Sequence, residues 1–117
     1  PTLSRTERAA IREAKYIIDA AIAYAPSCEE LARQVHISAA KLSRGFSAIY
    51  GQSLHQYVIA ERLETGARLL LENEKNVGEI AALVGYGKAS NFAAAFKKRF
   101  GVAPREYRAS HPNGRDS

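Results

Sequence analysis

The sequence predicts an all-α fold of about seven helices, arranged as two helix-turn-helix subdomains joined by a long linker helix. Three observations carry this. No stretch alternates apolar and polar residues with the period of a half-buried strand. Apolar residues recur instead at helical spacing, in runs that open on Ser, Asn or Pro and close on Gly. The chain also repeats itself on either side of residues 54–72: Glu30-Leu31-Ala32 returns as Glu79-Ile80-Ala81, and Val35 as Val84. His36-Ile37 aligns with Gly85-Tyr86, Leu42 with Phe92, Phe46 with Phe96, Tyr50-Gly51 with Phe100-Gly101, and Tyr57 with Tyr107. The offset is 49 positions up to the turn and 50 beyond it, so the second copy carries one extra residue near Gly87. Such a repeat means two similar modules, each one supersecondary unit.

The elements follow in order. Residues 5–24 read as a first helix: Ser4 and Glu7 form a capping box, Ile11, Ala14, Ile18, Ala21 and Ile22 line one face, and Pro26 stops it. Ser27 with Glu30 opens a short second helix through Val35. Ser38 caps a third, with Leu42, Phe46 and Ile49 inward and Gly51 suited to a left-handed stop. Residues 54–72 contain no proline and place Leu54, Val58, Leu63 and Leu70 at helical spacing, a rod of roughly 28 Å. Asn76 with Glu79 starts a fifth helix ending at Gly85; residues 89–100 form a sixth, with Phe92, Phe96 and Phe100 inward and Gly101 after it. Pro104 suits the first position of a closing helix to Arg108. The organisation expected is therefore 1–53 (first helix plus first helix-turn-helix), 54–72 (linker), 73–108 (second helix-turn-helix) and 109–117 (disordered tail).

Composition narrows the class. An apolar fraction of 46% is that of a globular domain. No apolar run approaches the roughly 18 residues of a membrane helix and no signal-peptide core is present, so no membrane partner and a cytoplasmic location are expected. Cys28 is the single cysteine, beside Glu29 and Glu30, which reads as an inert small residue rather than a reactive thiol or a metal ligand. The net charge of +5 is concentrated in 86–108, where Lys88, Lys97, Lys98, Arg99, Arg105 and Arg108 face Glu106 alone. The rest of the chain sums to zero, so that end should attract a polyanion.

A short helix, a tight turn and a second helix of about three turns form the plan in which the second helix lays its first side chains against base edges. Both copies fit it. At this point the sequence resembles the AraC/XylS bacterial transcription regulators, over about residues 27–108. The matching motifs are Leu31-Ala32, Ser38 with Leu42 and Phe46, Arg62-Leu63 ahead of Leu69-Leu70, Ile80-Ala81, Gly85-Tyr86, Phe92, and Phe96-Lys97 running through Phe100-Gly101-Val102 and Pro104 to Tyr107-Arg108. The resemblance implies a seven-helix unit that binds double-stranded DNA, RNA polymerase as a further candidate partner, and an effector-binding or dimerisation domain that this chain lacks. Three positions depart from the family: His36 in the first turn where Gly is usual, Gly66 in the linker helix where Ala is usual, and Ala94 where many relatives carry Arg. The first reads as a strained turn residue rather than a ligand. Gly66 should cost about 1 kcal/mol in a helix interior unless close packing offsets it.

On the third helix the face opposite Leu42 and Phe46 is Ala40, Ser43, Arg44 and Ser47. Arg44 is its one long donor, suited to the O6/N7 edge of guanine, and Ser43 can serve either base type. On the sixth helix the early face is Ala89, Ser90, Ala93 and Ala94 with Asn91 to one side. The base-contact candidates are therefore Ala40, Ser43, Arg44, Ser47, Ser90, Asn91 and Ala94. The phosphate-contact candidates are Lys41, Lys88, Lys97, Lys98, Arg99 and Arg105. Copy one should supply direct readout; copy two, whose methyls touch thymine but form no bidentate bond, should supply affinity through the backbone. Major-groove faces recur about every 34 Å, so the linker rod suits one monomer on two contacted segments a helical turn apart. His55 reads as a surface or capping group. No nucleophile–base set, phosphate loop or metal-ligand spacing appears, so no enzyme and no cofactor are expected. The rival reading is a helical protein-interaction module, in which the Phe92, Phe96, Phe100 stripe packs a partner helix.

Overall fold

The structure is a computed structural model that describes residues 2–111. Its order is α1 (Arg5–Ala20), a 3₁₀ turn (Ile22–Tyr24), α2 (Cys28–Val35), α3 (Ala39–Tyr50), α4 (Leu54–Glu72), α5 (Val77–Leu83), α6 (Ala89–Phe100) and α7 (Pro104–Ser110). Among the described residues there is no strand and no helix long and apolar enough to cross a membrane. They divide into two compact units, with the boundary inside α4 between Ile59 and Ala60.

In the first unit the capping signals act as read. Ser4 Oγ accepts from the Glu7 amide at 3.0 Å while the Glu7 carboxylate accepts from the Ser4 amide at 2.9 Å. Ser27 and Glu30 do the same for α2, and Ser38 Oγ accepts from the Lys41 amide at 3.1 Å to open α3. The first helix is shorter than predicted. It ends at Ala20, Ala21 leaves helical geometry at φ −145° and is exposed, and a 3₁₀ turn follows. That break turns Ile22 and Ala25 onto the core, which a straight continuation toward Pro26 would not do. Ile11, Ala14 and Ile18 of α1 pack with Leu31, Leu42 and Phe46, all fully buried. The start of α4 joins this core through Tyr57 and Val58. A polar clasp reinforces the join: Tyr57 Oη donates to Asp19, and Lys15 Nζ pairs with Asp19 at 2.9 Å while lying 5.2 Å from the Tyr57 ring centroid. The bonds to Asp19 and then Tyr57 hold the Lys15 ammonium charged well above its usual range.

The second unit repeats the plan with other side chains. Asn76 and Glu79 form its capping box, and α5 ends at Leu83, short of the expected Gly85, because Val84 already sits outside helical geometry. Phe96 is fully buried, with ring centroids 4.4 Å from Phe100 and 5.2 Å from Tyr107. Phe46 meets Tyr50 at 4.7 Å and Tyr57 at 5.5 Å, the same aromatic trio at the repeat-equivalent positions. Gly66 is explained by packing: a Cβ there would lie 2.8 Å from the Phe92 ring. The absent methyl therefore lets α6 close on α4, which offsets the helix cost of glycine. Pro104 is buried at the first turn of α7. That helix runs to Ser110 rather than Arg108, and the His111 ring stacks on Tyr107 with centroids 4.4 Å apart. Residues 109–111 are thus ordered against the helix, and the remainder of the stretch expected to be a tail, 112–117, lies outside the described residues.

The two turns share one hydrogen-bond pattern. The Ile37 amide donates to Ala32 O at 3.1 Å, and the Tyr86 amide to Ala81 O at 2.9 Å. Each turn needs a left-handed residue just after its short helix: Gly85 at φ 101°, and His36 at φ 62°, ψ 40°. His36 is the only non-glycine residue at positive φ among those described, and it is exposed. His36→Gly should therefore stabilise the chain by about 1 kcal/mol. A thermal melt reads this as a rise of a few degrees; an unchanged or lower midpoint would mean that the imidazole contributes an offsetting contact.

Candidate nucleic-acid interface

The packing above decides which side chains remain outward. On α3, Leu42 and Phe46 are fully buried, which leaves Ala40, Ser43, Arg44 and Ser47 exposed on the opposite face. On α6, burial of Phe92 and Phe96 leaves Ala89, Ser90, Asn91 and Ala94 exposed, with Ala93 half-buried. All seven expected base-contact residues are thus solvent-facing. The phenylalanine stripe invoked by the rival reading is not. It lines the second unit's own core, and its outermost member, Phe100, is half-buried against Tyr107.

The six expected phosphate contacts are all exposed but fall into two groups. Lys88, Lys97, Lys98 and Arg105 make no ion pair among the described residues. Two others are already engaged. Lys41 Nζ lies 2.7 Å from Glu7 Oε2, and Arg99 Nη2 lies 2.9 Å from Glu64 Oε2. The Lys41 hydrogen bond, followed by the Ser4 amide, holds the Glu7 carboxyl below the usual range. Exposed pairs of this kind contribute little, about 0–1 kcal/mol, and can exchange for another anion. Arg108, counted in the basic segment, is half-buried and engaged as well. Its Nε donates to Leu70 O at 2.8 Å and its Nη2 to Asn73 O at 3.1 Å, so it caps the last turn of α4.

Sequence reasoning missed these engagements. Glu7 carried a capping signal that hid its second role, and no periodicity pairs residues 34 to 38 positions apart. Around α3 the structure also forms a groove in which Glu7, Lys41 and Arg44 converge with Thr2, Leu3 and Ala48. Arg44 thus projects beside the start of α1. Elsewhere the chemistry is sparse. Burial, with Glu29 next to it, pushes the Cys28 thiol up and keeps it protonated. Among the described residues no cluster of three His, Cys, Asp or Glu side chains could hold a metal.

Two equivalent helix-turn-helix units, each with an outward polar face on its second helix, make this a tandem helix-turn-helix protein. A family profile described as a helix-turn-helix domain matches residues 31–110. The transcriptional regulator MtrA of Neisseria gonorrhoeae is 35% identical over 80 residues, covering 68% of this chain and 27% of the relative. A transcriptional regulator with an AraC-type DNA-binding domain from Chromobacterium violaceum superposes with a TM-score of 0.81 at 25% identity, covering 91% of this chain and 95% of that one. The DNA-binding domain of AdpA, solved in complex with a target DNA, shares the fold with a TM-score of 0.84 at 23% identity, over 92% and 96% of the two chains. The chain belongs to the AraC-type helix-turn-helix family of transcription regulators. It spans about a third or less of the length of the curated relatives it matches.

Proposed function

We propose that this chain binds double-stranded DNA with sequence selectivity, as the DNA-binding part of a transcription regulator, by setting α3 and α6 into the major groove. The observation that carries this is the pair of equivalent recognition-helix faces. In each unit the apolar side of the second helix is consumed by the unit's own core, and the polar side is left outward. On α3, Arg44 reads guanine and Ser43 and Ser47 support it, with Ala40 against the base edges. On α6, Ser90, Asn91 and Ala94 approach the bases, while Lys88, Lys97, Lys98 and Arg105 hold phosphates. Lys41 and Arg99 join them only by exchanging Glu7 and Glu64 for phosphate. Coupling to RNA polymerase, and to an effector-binding or dimerisation domain of a longer polypeptide, belongs to the same reading and is in keeping with the greater length of the relatives.

The test is a binding titration against selected and random duplexes at several salt concentrations. Four phosphate contacts give a slope of log affinity against log salt of about −4; a slope nearer −5 would mean that Lys41 and Arg99 have changed partners. Arg44→Ala should cost about 1–3 kcal/mol on the selected duplex and relax preference at one base pair. Lys98→Ala should weaken selected and random DNA alike. Affinity independent of salt would remove the DNA reading. Equal losses on both duplexes for Arg44→Ala would remove Arg44 as a base reader.

A further inference from the structure

Beside the early face of α6 the second unit has a shallow groove built from three elements. Val77 comes from the start of α5, Ala89, Ser90 and Ala93 from α6, and Ala103, Pro104 and Arg105 from the start of α7. Ala89 and Ala93 stand one turn apart on the same face, and Pro104 is buried, which fixes one wall. We infer that this groove is a receptor for the 5-methyl group of a thymine, and that α6 selects sequence through it. The inference rests on the DNA-binding reading above.

The chemistry leaves one occupant. Five of the seven lining residues are apolar and Ser90 offers a single hydroxyl, so a phosphate or the amino or keto edge of a base would lose most of its hydrogen bonds to water without replacement. Arg105 supplies the positive charge that seats a polyanion beside the groove, with Lys88 and Lys97 exposed on α6 and its cap. In the major groove DNA presents one apolar projection, the thymine methyl. A helix without a long donor on its early face can therefore still discriminate, by burying that methyl.

The experiment replaces thymine by uracil, which deletes only the methyl. A duplex is first selected from a random pool by the protein itself. Each thymine is then exchanged singly for deoxyuridine and binding is measured. One or two exchanges, clustered in the segment that α6 occupies, should weaken binding about fourfold, the worth of one buried methyl. Ala93→Gln, which fills the groove with a polar amide, should abolish the thymine–uracil difference, and Ala89→Gln at the exposed end provides the same readout should Ala93→Gln fail to fold. Indifference to every exchange, with selective and salt-dependent binding intact, would overturn the inference and leave the DNA-binding reading standing. So would a thymine–uracil difference that survives in both folded glutamine variants. Absence of salt-dependent binding would overturn the DNA-binding reading itself, and the inference with it.

Discussion

Phe96→Ala should lower the unfolding free energy by about 3–5 kcal/mol, the usual cost of deleting a buried aromatic ring. The ring has no exposed surface and touches Phe92, Phe100 and Tyr107, with centroids 5.6, 4.4 and 5.2 Å away. Helices α6 and α7 meet through this ring, so its removal opens a cavity at their junction. A small domain has only about 5–15 kcal/mol of stability in total, so urea melts should show the midpoint falling by a large fraction. Phe46→Ala, at the repeat-equivalent position beside Tyr50 and Tyr57, should cost a similar amount. This experiment also bears on the rival function. A stripe meant for a partner helix would leave stability nearly unchanged when truncated, and a cost under about 1 kcal/mol for Phe96→Ala would revive that reading.

What was legible in the sequence is what local chemistry specifies. A Ser or Asn followed three residues later by Glu has little to do but cap, and all three such pairs do so. Apolar spacing correctly turned Leu42, Phe46, Phe92 and Phe96 inward, which by subtraction turned the candidate reading faces outward. The repeat went further, since it aligned Phe46 and Tyr57 with Phe96 and Tyr107 before any distance was known. Three things were not legible. The end of α1 depends on where Ile22 and Ala25 find the core, a tertiary matter that helix spacing does not encode. Net charge counts cations without saying which are spoken for: Arg99 and Arg108 sum with Lys97 and Lys98 in the basic segment, and Lys41 reads as a free phosphate contact, although all three are engaged. The apolar groove beside α6 draws Val77 and Pro104 from other helices, and no single-helix projection can show it.

Arg108→Ala should destabilise the chain by about 2–3 kcal/mol without changing how DNA affinity depends on salt. The charge reading alone would have made this residue a phosphate ligand. Its guanidinium is instead half-buried, and its fork reaches two carbonyls at the end of α4: Leu70 O at 2.8 Å and Asn73 O at 3.1 Å. A helix leaves its last carbonyls without internal partners, and the negative end of its dipole favours a cation there. Hydrogen bonds from a charged donor are worth about 1.5–3 kcal/mol each. Two such bonds would sum to about 3–6 kcal/mol, and access of water to the freed carbonyls brings the expected loss below that sum. Arg108→Lys should recover less than half of it, because a single ammonium cannot span both oxygens as the planar fork does. Two measurements on the same variant separate the roles. Urea melts report the cap, while removal of a phosphate ligand would flatten the salt slope by about 0.9. Unchanged stability together with that flattening would place Arg108 on the DNA backbone and not under the linker helix.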